Sequence, residues 1–230
     1  MAKRKVAQTT ETIEVQEVKQ VSAPFWEKYQ KEILYALGAV AAIAIGWWLY
    51  KTMIVAPKQQ EAVASMWQAQ NMFERDSFRL ALDGPGGGFD GFVALADKYS
   101  GTPAGNISNY YAGVSYLQLG EFDNAIQYLE QYDADGTLLP AMKYGALGDA
   151  YSEKKEYDKA LDLYEKAAEA TDNEVLSSMY LKKLGMLYDY QGKKEEAVKA
   201  YERLRREYPN QQSQDFREIE KYIYRAGGSK

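Results

Sequence analysis

The longest apolar segment of the chain runs from Ile33 to Tyr50, where no charged residue occurs and where Glu32 and Lys51 bracket the run. A membrane hydrocarbon core about 30 Å thick requires roughly 20 residues of helix, which matches the length of this segment. An uncharged run of this length is more typical of a membrane span than of a buried helix in a water-soluble core. The pattern therefore predicts a transmembrane anchor helix over residues 28–56.

Aromatic residues at its ends indicate that this segment is an anchor and not a cleaved signal. A secretory signal combines a short basic leader, a short apolar region and a small-residue cleavage site. Here residues 1–32, of mixed charge, come first, and the run ends in Trp47, Trp48 and Tyr50. Such side chains resist cleavage and prefer the headgroup layer, and Trp26 would lie in the opposite layer. We expect all four aromatic residues to act as membrane-interface anchors.

The lysines on the two sides of the anchor predict its orientation. Lys19, Lys28 and Lys31 lie near its N-terminal end, whereas Lys51 and Lys58 lie at the other end. Basic residues are retained on the cytoplasmic side of a membrane. The excess predicts a cytoplasmic N-terminus and an exported C-terminal domain.

Beyond Pro57 the apolar positions recur every three to four residues, which predicts helices and no sheet through residues 59–226. Pro57 lacks a backbone donor, so we expect a kink or break there. Residues 59–82 are predicted to form one helix, paired with a second at 92–105. The Gly-rich segment 83–91 between them lacks the Gly-Lys-Ser/Thr ending and the preceding strand of a phosphate-binding loop. We interpret it as a flexible connection.

Three later segments, at residues 110–130, 144–167 and 181–204, align with one another. Each carries a Gly, a Tyr and an Ala at equivalent positions: Gly113, Gly148 and Gly185; Tyr116, Tyr151 and Tyr188; Ala125, Ala160 and Ala197. We expect the Gly and Ala to lie where two helices cross closely, with the Tyr beside them. Repeated helix pairs of this kind predict an α-solenoid.

This pattern resembles the tetratricopeptide repeat, which places Leu-Gly, Tyr, a turn Gly, Ala, an aromatic residue and a late Pro at these offsets. The third unit fits best, from Gly185 to Pro209. The second departs at Lys155, where a turn Gly is usual, and the first has Leu129 at the aromatic position. Residues 213–228 are predicted to form a helix that caps the last exposed face.

The predicted fold is all-α, with a single N-terminal transmembrane helix followed by a tetratricopeptide-like α-solenoid. Its parts are a tail at residues 1–27, the anchor helix at 28–56, an irregular first helix pair with the Gly-rich loop at 57–105, three repeats at 106–209, and a capping helix and tail at 210–230.

The whole layout resembles the YfgM family of bacterial inner-membrane proteins, which are ancillary subunits of the Sec translocon. The most family-like part is the junction at residues 44–70, AIGWWLYKTMIVAPKQQEAVASMWQAQ. The resemblance implies Sec translocon subunits and a PpiD-like chaperone-isomerase as partners, with exported proteins as clients. The loop at 83–91 and the Tyr-rich repeats depart from the family's usual form. An assembly factor of another envelope machine, for secretion or division, is the alternative.

Composition argues against several functions. A formal net charge of −5 disfavours nucleic-acid binding, which requires a basic surface. The chain has no Cys and no His, which excludes Cys/His zinc sites, thiol chemistry and Ser-His-Asp triads. Asp149 and Glu153 share a helix face as a possible acid–base pair. However, charges that flank a repeat turn are usually solvated, whereas a general acid needs burial. We therefore predict no enzyme activity, catalytic residue, metal or cofactor.

A non-enzymatic interaction scaffold is the function that the sequence favours, because repeats of this kind offer a concave surface lined by their first helices. The candidate protein-binding residues on that surface are Tyr110, Val114, Leu117, Asp149, Lys182, Met186 and Tyr190. Met and Tyr adapt to varied apolar partners, and Asp149 and Lys182 are candidates to fix backbone or terminal charges. Burial against a neighbouring helix pair, or a simply solvated face, is the alternative interpretation of these positions.

A reporter fused after Lys230 tests the predicted orientation. We expect reporter activity on the periplasmic side, and migration of the protein at full length with residues 1–32 retained. External protease, added after permeabilisation of the outer membrane, should remove the chain beyond Pro57. A C-terminal domain that stays protected would mean that the orientation is reversed and that the scaffold is cytoplasmic.

Overall fold

The structure, a computed structural model, describes residues 26, 28–208 and 214–227. The chain divides into two units, Met1–Ala56 and Pro57–Lys230. The described residues are helical with no named strand, which confirms the predicted all-α class.

Three parts of the predicted organisation lie outside the described residues. These are the tail at residues 1–27, apart from Trp26, the segment 209–213, which includes Pro209 at the predicted end of the third repeat, and residues 228–230 of the predicted C-terminal tail.

The predicted anchor is helical over residues 28–50, which we call α1. A π-helical segment, Lys51–Val55, connects it to α2 (Ala56–Glu74). By length and composition, Lys28–Glu74 is the one helix among the described residues that is able to cross a membrane. No part of its most apolar stretch is buried among the described residues.

The chain does not break at Pro57 but remains helical, and the irregularity lies just before it. Within Lys51–Val55 the backbone follows π-helical hydrogen bonds, and the N–H of Ala56 donates to the carbonyl of Lys51, five residues earlier. Pro57 has no N–H to offer to the carbonyl of Met53, which an ordinary α-helix would require. The π-helical turn, which is wider than an α-helical turn, therefore lies directly before Pro57, the residue without a backbone donor.

The prediction of one helix over 59–82 was wrong, because α2 ends at Glu74 and a short α3 (Phe78–Asp83) follows. Asp76 adopts φ 55°, and the N–H of Ser77 donates to the carbonyl of Met72 at 2.9 Å. This bond closes the helix end around a left-handed residue, a conformation that Asp tolerates better than most residues.

The prediction of one helix over 92–105 was also wrong. α4 (Phe92–Lys98) ends before a turn, and α5 (Pro103–Gln118) begins at Pro103, whose missing N–H costs nothing at the first helical position. The hydroxyl of Thr102 accepts a hydrogen bond from the N–H of Gly105 at 3.0 Å, which satisfies one of the free donors at the helix start.

The repeats are formed by six helices arranged as three antiparallel pairs. Their bounds are α5 (Pro103–Gln118) with α6 (Phe122–Gln131), α7 (Leu139–Glu153) with α8 (Tyr157–Glu169), and α9 (Glu174–Tyr190) with α10 (Lys194–Glu207). Each pair packs together, and α7 also contacts both α5 and α9. The first helices of consecutive repeats are therefore neighbours.

A glycine on each first helix allows the second helix to approach closely. A Cβ on Gly113 would lie 2.6 Å from Cγ of Leu129, and one on Gly148 would lie 2.7 Å from Cδ1 of Tyr164. Both distances are far shorter than a van der Waals contact. In the third repeat the ring of Tyr201 occupies the equivalent space over Gly185. The recurring Gly is thus a packing requirement, as the sequence predicted.

The turn between the two helices is closed by the same backbone hydrogen bond in all three repeats. A backbone N–H just after the turn donates to the carbonyl of the recurring Tyr. These bonds are Glu121 to Tyr116, Glu156 to Tyr151 and Lys193 to Tyr188, each 2.9 Å. The residue before each donor is left-handed: Gly120 has φ 75°, Gly192 φ 73° and Lys155 φ 64°. The second repeat therefore places a lysine where the backbone favours glycine.

The predicted capping helix is confirmed as α11 (Gln214–Ala226), which packs against α10. Ile219, Ile223 and Ala226 are buried in the same apolar cluster as residues of α9 and α10. The cap thus covers apolar surface that the last repeat would otherwise expose.

Replacing Lys155 with glycine should stabilise the repeat unit. A left-handed conformation costs a residue with a side chain roughly 1–2 kcal/mol. After allowance for the greater freedom of glycine in the unfolded chain, we expect Lys155→Gly to raise the free energy of unfolding by about 0.5–1 kcal/mol. Urea unfolding of the full chain in detergent measures this change. Gly192→Ala, at φ 73°, is the reciprocal control and should destabilise. A lower stability for Lys155→Gly would contradict the assigned turn.

Candidate functional site

The surface formed by α5, α7 and α9, here named the first-helix face, carries the candidate binding residues. Its N-terminal part is mostly a packing surface. Tyr110, Val114 and Leu117 are half-buried and pack against a cluster that includes Ala146 and Leu147 of α7. The alternative interpretation, burial against a neighbouring helix pair, describes these three positions better than an open surface does.

Tyr110 nevertheless retains a polar group on this face. Its ring centroid lies 5.3 Å from that of Tyr132. Burial, together with Tyr132, Tyr111 and Asp149, raises the pKa of Tyr110 to about 12. The hydroxyl is therefore protonated at physiological pH and is able to donate a hydrogen bond.

Asp149 lies at the centre of the first-helix face and is bound on two sides. The ammonium of Lys183, on α9, donates to Oδ1 at 2.6 Å and to Oδ2 at 2.7 Å. The hydroxyl of Tyr164, on α8, donates to Oδ1 at 2.8 Å. The Asp149 and Lys183 side chains are 33% and 35% exposed, so the pair is accessible from solvent. The bonds from Lys183 join the second repeat to the third, and the bond from Tyr164 lies within the second.

Tyr180 of α9 lies directly on α7. Its ring and hydroxyl occupy the space that a side chain on Gly145 would need. Burial is the main cause that raises the pKa of Tyr180, and Tyr110 and Asp149 add to it. Burial and Asp149 likewise raise the pKa of Tyr164. Both hydroxyls are thus neutral at physiological pH.

The C-terminal part of the first-helix face is apolar and open. Four side chains that share one side of α9 are well exposed: Val175 (68%), Met179 (39%), Met186 (44%) and Tyr190 (73%). The ring of Tyr190 also lies 5.6 Å from that of Tyr157 on α8, edge to face. Met and Tyr side chains adapt to partners of varied shape. This part has the character of an interaction surface.

The structure assigns the two lysines of α9 to different neighbours. Lys182, the predicted candidate, is half-buried, and its ammonium lies 5.5 Å from the ring of Tyr222 on α11. Lys183 contacts Asp149 instead. Sequence reasoning missed Lys183, along with Tyr164 and Tyr180. The available signal was the opposite charge of Asp149 and Lys183 on consecutive first helices, about one repeat apart.

The carboxylate pair that was considered for catalysis does not form an acid–base site. Asp149 is engaged by Lys183 and Tyr164, whereas Glu153 is exposed. Within the described part of the chain, no group of three or more Asp or Glu residues is able to hold a metal ion.

The predicted membrane-interface residues are exposed. Trp26 is 51% exposed, Trp47 60%, Trp48 63% and Tyr50 46%. The Trp47 and Tyr50 ring centroids are 6.0 Å apart, and the ammonium of Lys51 lies 5.7 Å from the Trp47 ring. This grouping of aromatic rings with a terminal lysine is typical of a headgroup layer.

Comparison with known families identifies the repeated part of the chain. Two models of the tetratricopeptide repeat match it, one over residues 92–138 and the other over 139–206. Together the matched segments cover half of the chain. A search of curated proteins finds no match to it. Tetratricopeptide repeats act as protein–protein interaction scaffolds, and nothing in the matches indicates an enzyme.

The bonds of Asp149 predict a measurable contribution to stability. Asp149→Ala removes three accepted hydrogen bonds, two of which come from Lys183 of the next repeat. We expect a loss of about 1–2 kcal/mol in urea unfolding because the pair is only partly exposed. Asp162→Ala is the matched control. It removes an exposed pair with Lys166, at 2.7 Å, on a single helix, and should cost less than about 0.5 kcal/mol. Equal effects of the two substitutions would contradict the joining role of Asp149.

Proposed function

From the tetratricopeptide repeats that residues 92–206 carry, we propose that this protein is a membrane-anchored interaction scaffold, an ancillary subunit of the Sec translocon that works with a PpiD-like chaperone-isomerase on exported proteins. Its place is the bacterial inner membrane, as a single-pass protein with a cytoplasmic N-terminus and a periplasmic C-terminal domain. It binds proteins and performs no chemistry on them.

The main observation behind this proposal is that the chain that carries the repeats also contains an apolar helix whose most apolar part is not buried. The most apolar window of Lys28–Glu74 is 0% buried. Apolar surface on this scale is unfavourable in water, and a lipid bilayer is the environment that covers it. Trp47, Trp48 and Tyr50 lie toward the end of the uncharged run, where the headgroup layer would be.

The choice of the Sec translocon rests on the resemblance of residues 44–70, and of the order of anchor and repeats, to the YfgM family. The lysine excess before the anchor supports export of the repeats. Together these features favour a partner that receives proteins as they emerge from the membrane.

The exposed apolar side of α9 is the surface that we assign to the partner. A large apolar side chain buried in an interface contributes ~1.5–3 kcal/mol, and a few such side chains dominate most interfaces. Met186 and Tyr190 are the candidate residues with the largest exposure on this face.

Recovery of partners from native membranes tests the proposal. The tagged full chain, crosslinked in membranes and purified, should recover Sec translocon subunits and a peptidyl-prolyl isomerase, identified by mass spectrometry. Met186→Ala combined with Tyr190→Ala should lower that recovery about ten-fold or more. Glu196→Ala with Lys199→Ala, two exposed residues of α10, is the matched control and should have little effect.

Components of another envelope machine in the same purification would favour the alternative, an assembly factor for secretion or division. Unchanged recovery with the double alanine variant would mean that the partner binds elsewhere, and the exposed side of α2, which carries Val63 and Trp67, would be the next surface to test.

A further inference from the structure

The helix α2 precedes the part of the chain that matches the repeat models, and one side of it packs against α4 and α5. The side-chain carbonyl of Gln59 accepts a hydrogen bond from the N–H of Ala104 at 2.8 Å. The hydroxyl of Tyr99 donates to the carboxylate of Glu61 at 2.9 Å. These contacts fix the rotation of α2 about its axis. The residues that α2 buries in the apolar cluster with α4 and α5 are Ala62, Met66 and Ala69.

The opposite side of α2, here named the outer side, consists of uncharged residues. They are Gln60, Val63, Ala64, Trp67 and Asn71. Val63 is 55% exposed and Trp67 is 54% exposed. By contrast, every exposed residue of α10 is charged. Exposed apolar and aromatic residues with no charge among them are typical of the centre of a protein–protein interface.

We propose that the outer side of α2 pairs with the outer side of α2 in a second copy of this chain, with the two helices parallel and both copies anchored in one membrane. The inference rests on the proposed membrane anchoring and adds self-association to the scaffold function.

The absence of charge on the outer side favours a second copy as the partner. Two copies that are anchored in one membrane have the same orientation, and in each of them α2 begins at Ala56, shortly after the uncharged run ends at Tyr50. In a parallel two-fold pair each residue lies close to its own counterpart. A charged residue on this side would therefore meet the same charge and oppose pairing. The outer side of α2 is free of that repulsion.

The residues of the outer side are also able to pair with themselves. An amide carries both a donor and an acceptor, so Gln60 of one copy is able to bond to Gln60 of the other. A polar residue of this kind on a helix–helix contact fixes its register. Val63 and Trp67 supply the apolar area, and tryptophan is among the residues that contribute most to interfaces.

The short length of this contact is compatible with the proposal because of the membrane. Gln60 to Asn71 make about three helical turns, and a contact of this length between two separate helices is marginal in water. Confinement of both copies to one membrane raises their effective concentration, which allows a short contact to form.

Disulfide crosslinking of the full chain in native membranes tests the pairing. The chain has no Cys, so a single introduced Cys reports on one position. Two differently tagged copies of Val63→Cys are expressed together and oxidised, and we expect a covalent product that carries both tags. Lys58→Cys is the matched control, because Lys58 is exposed on the same helix but lies about 200° around it from Gln60. A disulfide requires Cα atoms within about 7 Å, so the control should give at least about five-fold less product.

A second substitution in the Val63→Cys chain tests the role of the tryptophan. Trp67→Ala removes the largest apolar side chain of the outer side, and we expect the crosslinked fraction to fall about five-fold or more. Tyr224→Ala removes a side chain of α11 that is 72% exposed, and it should change the crosslinked fraction by less than about two-fold. Circular dichroism of the purified variants in detergent checks that each remains helical.

Several results would overturn the proposal. Equal yields from Val63→Cys and Lys58→Cys would indicate random collision, and a yield that Trp67→Ala leaves unchanged would exclude the outer side as the contact. A product that joins Val63→Cys to a different protein would assign the outer side to that protein instead. No product from a chain recovered in the membrane fraction would refute self-association and leave the anchoring intact. Recovery of the chain in the soluble fraction would refute the anchoring, and this inference with it.

Discussion

The repeats depend on one missing side chain in each first helix. Gly148 allows the ring of Tyr164 to lie against α7, at a distance that any Cβ would block. Because the Tyr164 ring lies there, its hydroxyl reaches Asp149, which is next to Gly148 on α7. Asp149 in turn holds Lys183 of the next repeat. A packing constraint inside one repeat thus determines the position of the polar groups that join it to its neighbour, and the same groups form the centre of the candidate binding face.

The structure separates two kinds of surface that a repeat protein needs. Between α5 and α7 the first-helix face is packed and provides neutral hydroxyl donors, as at Tyr110. Along α9 it leaves apolar side chains such as Met186 exposed, while α11 covers the end of the solenoid. Exposed methionine and tyrosine fit a scaffold for protein–protein interaction. An apolar helix in the same chain, with no residue of its most apolar window buried, fits a scaffold that works at a membrane.

Sequence alone predicted the repeats well, because the recurring Gly, Tyr and Ala mark positions where packing and turn geometry impose the same residue in each unit. The sequence did not predict structural features that occur at one place only, because no recurring residue marks them. The end of α2 depends on a left-handed Asp76, which composition does not distinguish from a helical Asp. The choice of Lys183 over Lys182 as the partner of Asp149 depends on how α9 is rotated about its axis, which tertiary packing sets. Tyr180 was not predicted because it packs over Gly145 of the preceding repeat, and the residue pattern within one repeat does not indicate a contact between repeats.

The stability of Gly148→Ala tests the central claim most directly. In the interior of an ordinary helix, replacing glycine with alanine stabilises by roughly 0.5–1 kcal/mol. Here the added methyl group would lie 2.7 Å from the Tyr164 ring. Overpacking of this kind costs typically 1–3 kcal/mol, so we predict a net fall in the free energy of unfolding, measured by urea denaturation of the full chain. An unchanged or increased stability would contradict the account, because the close approach of α8 to α7 would then not depend on glycine.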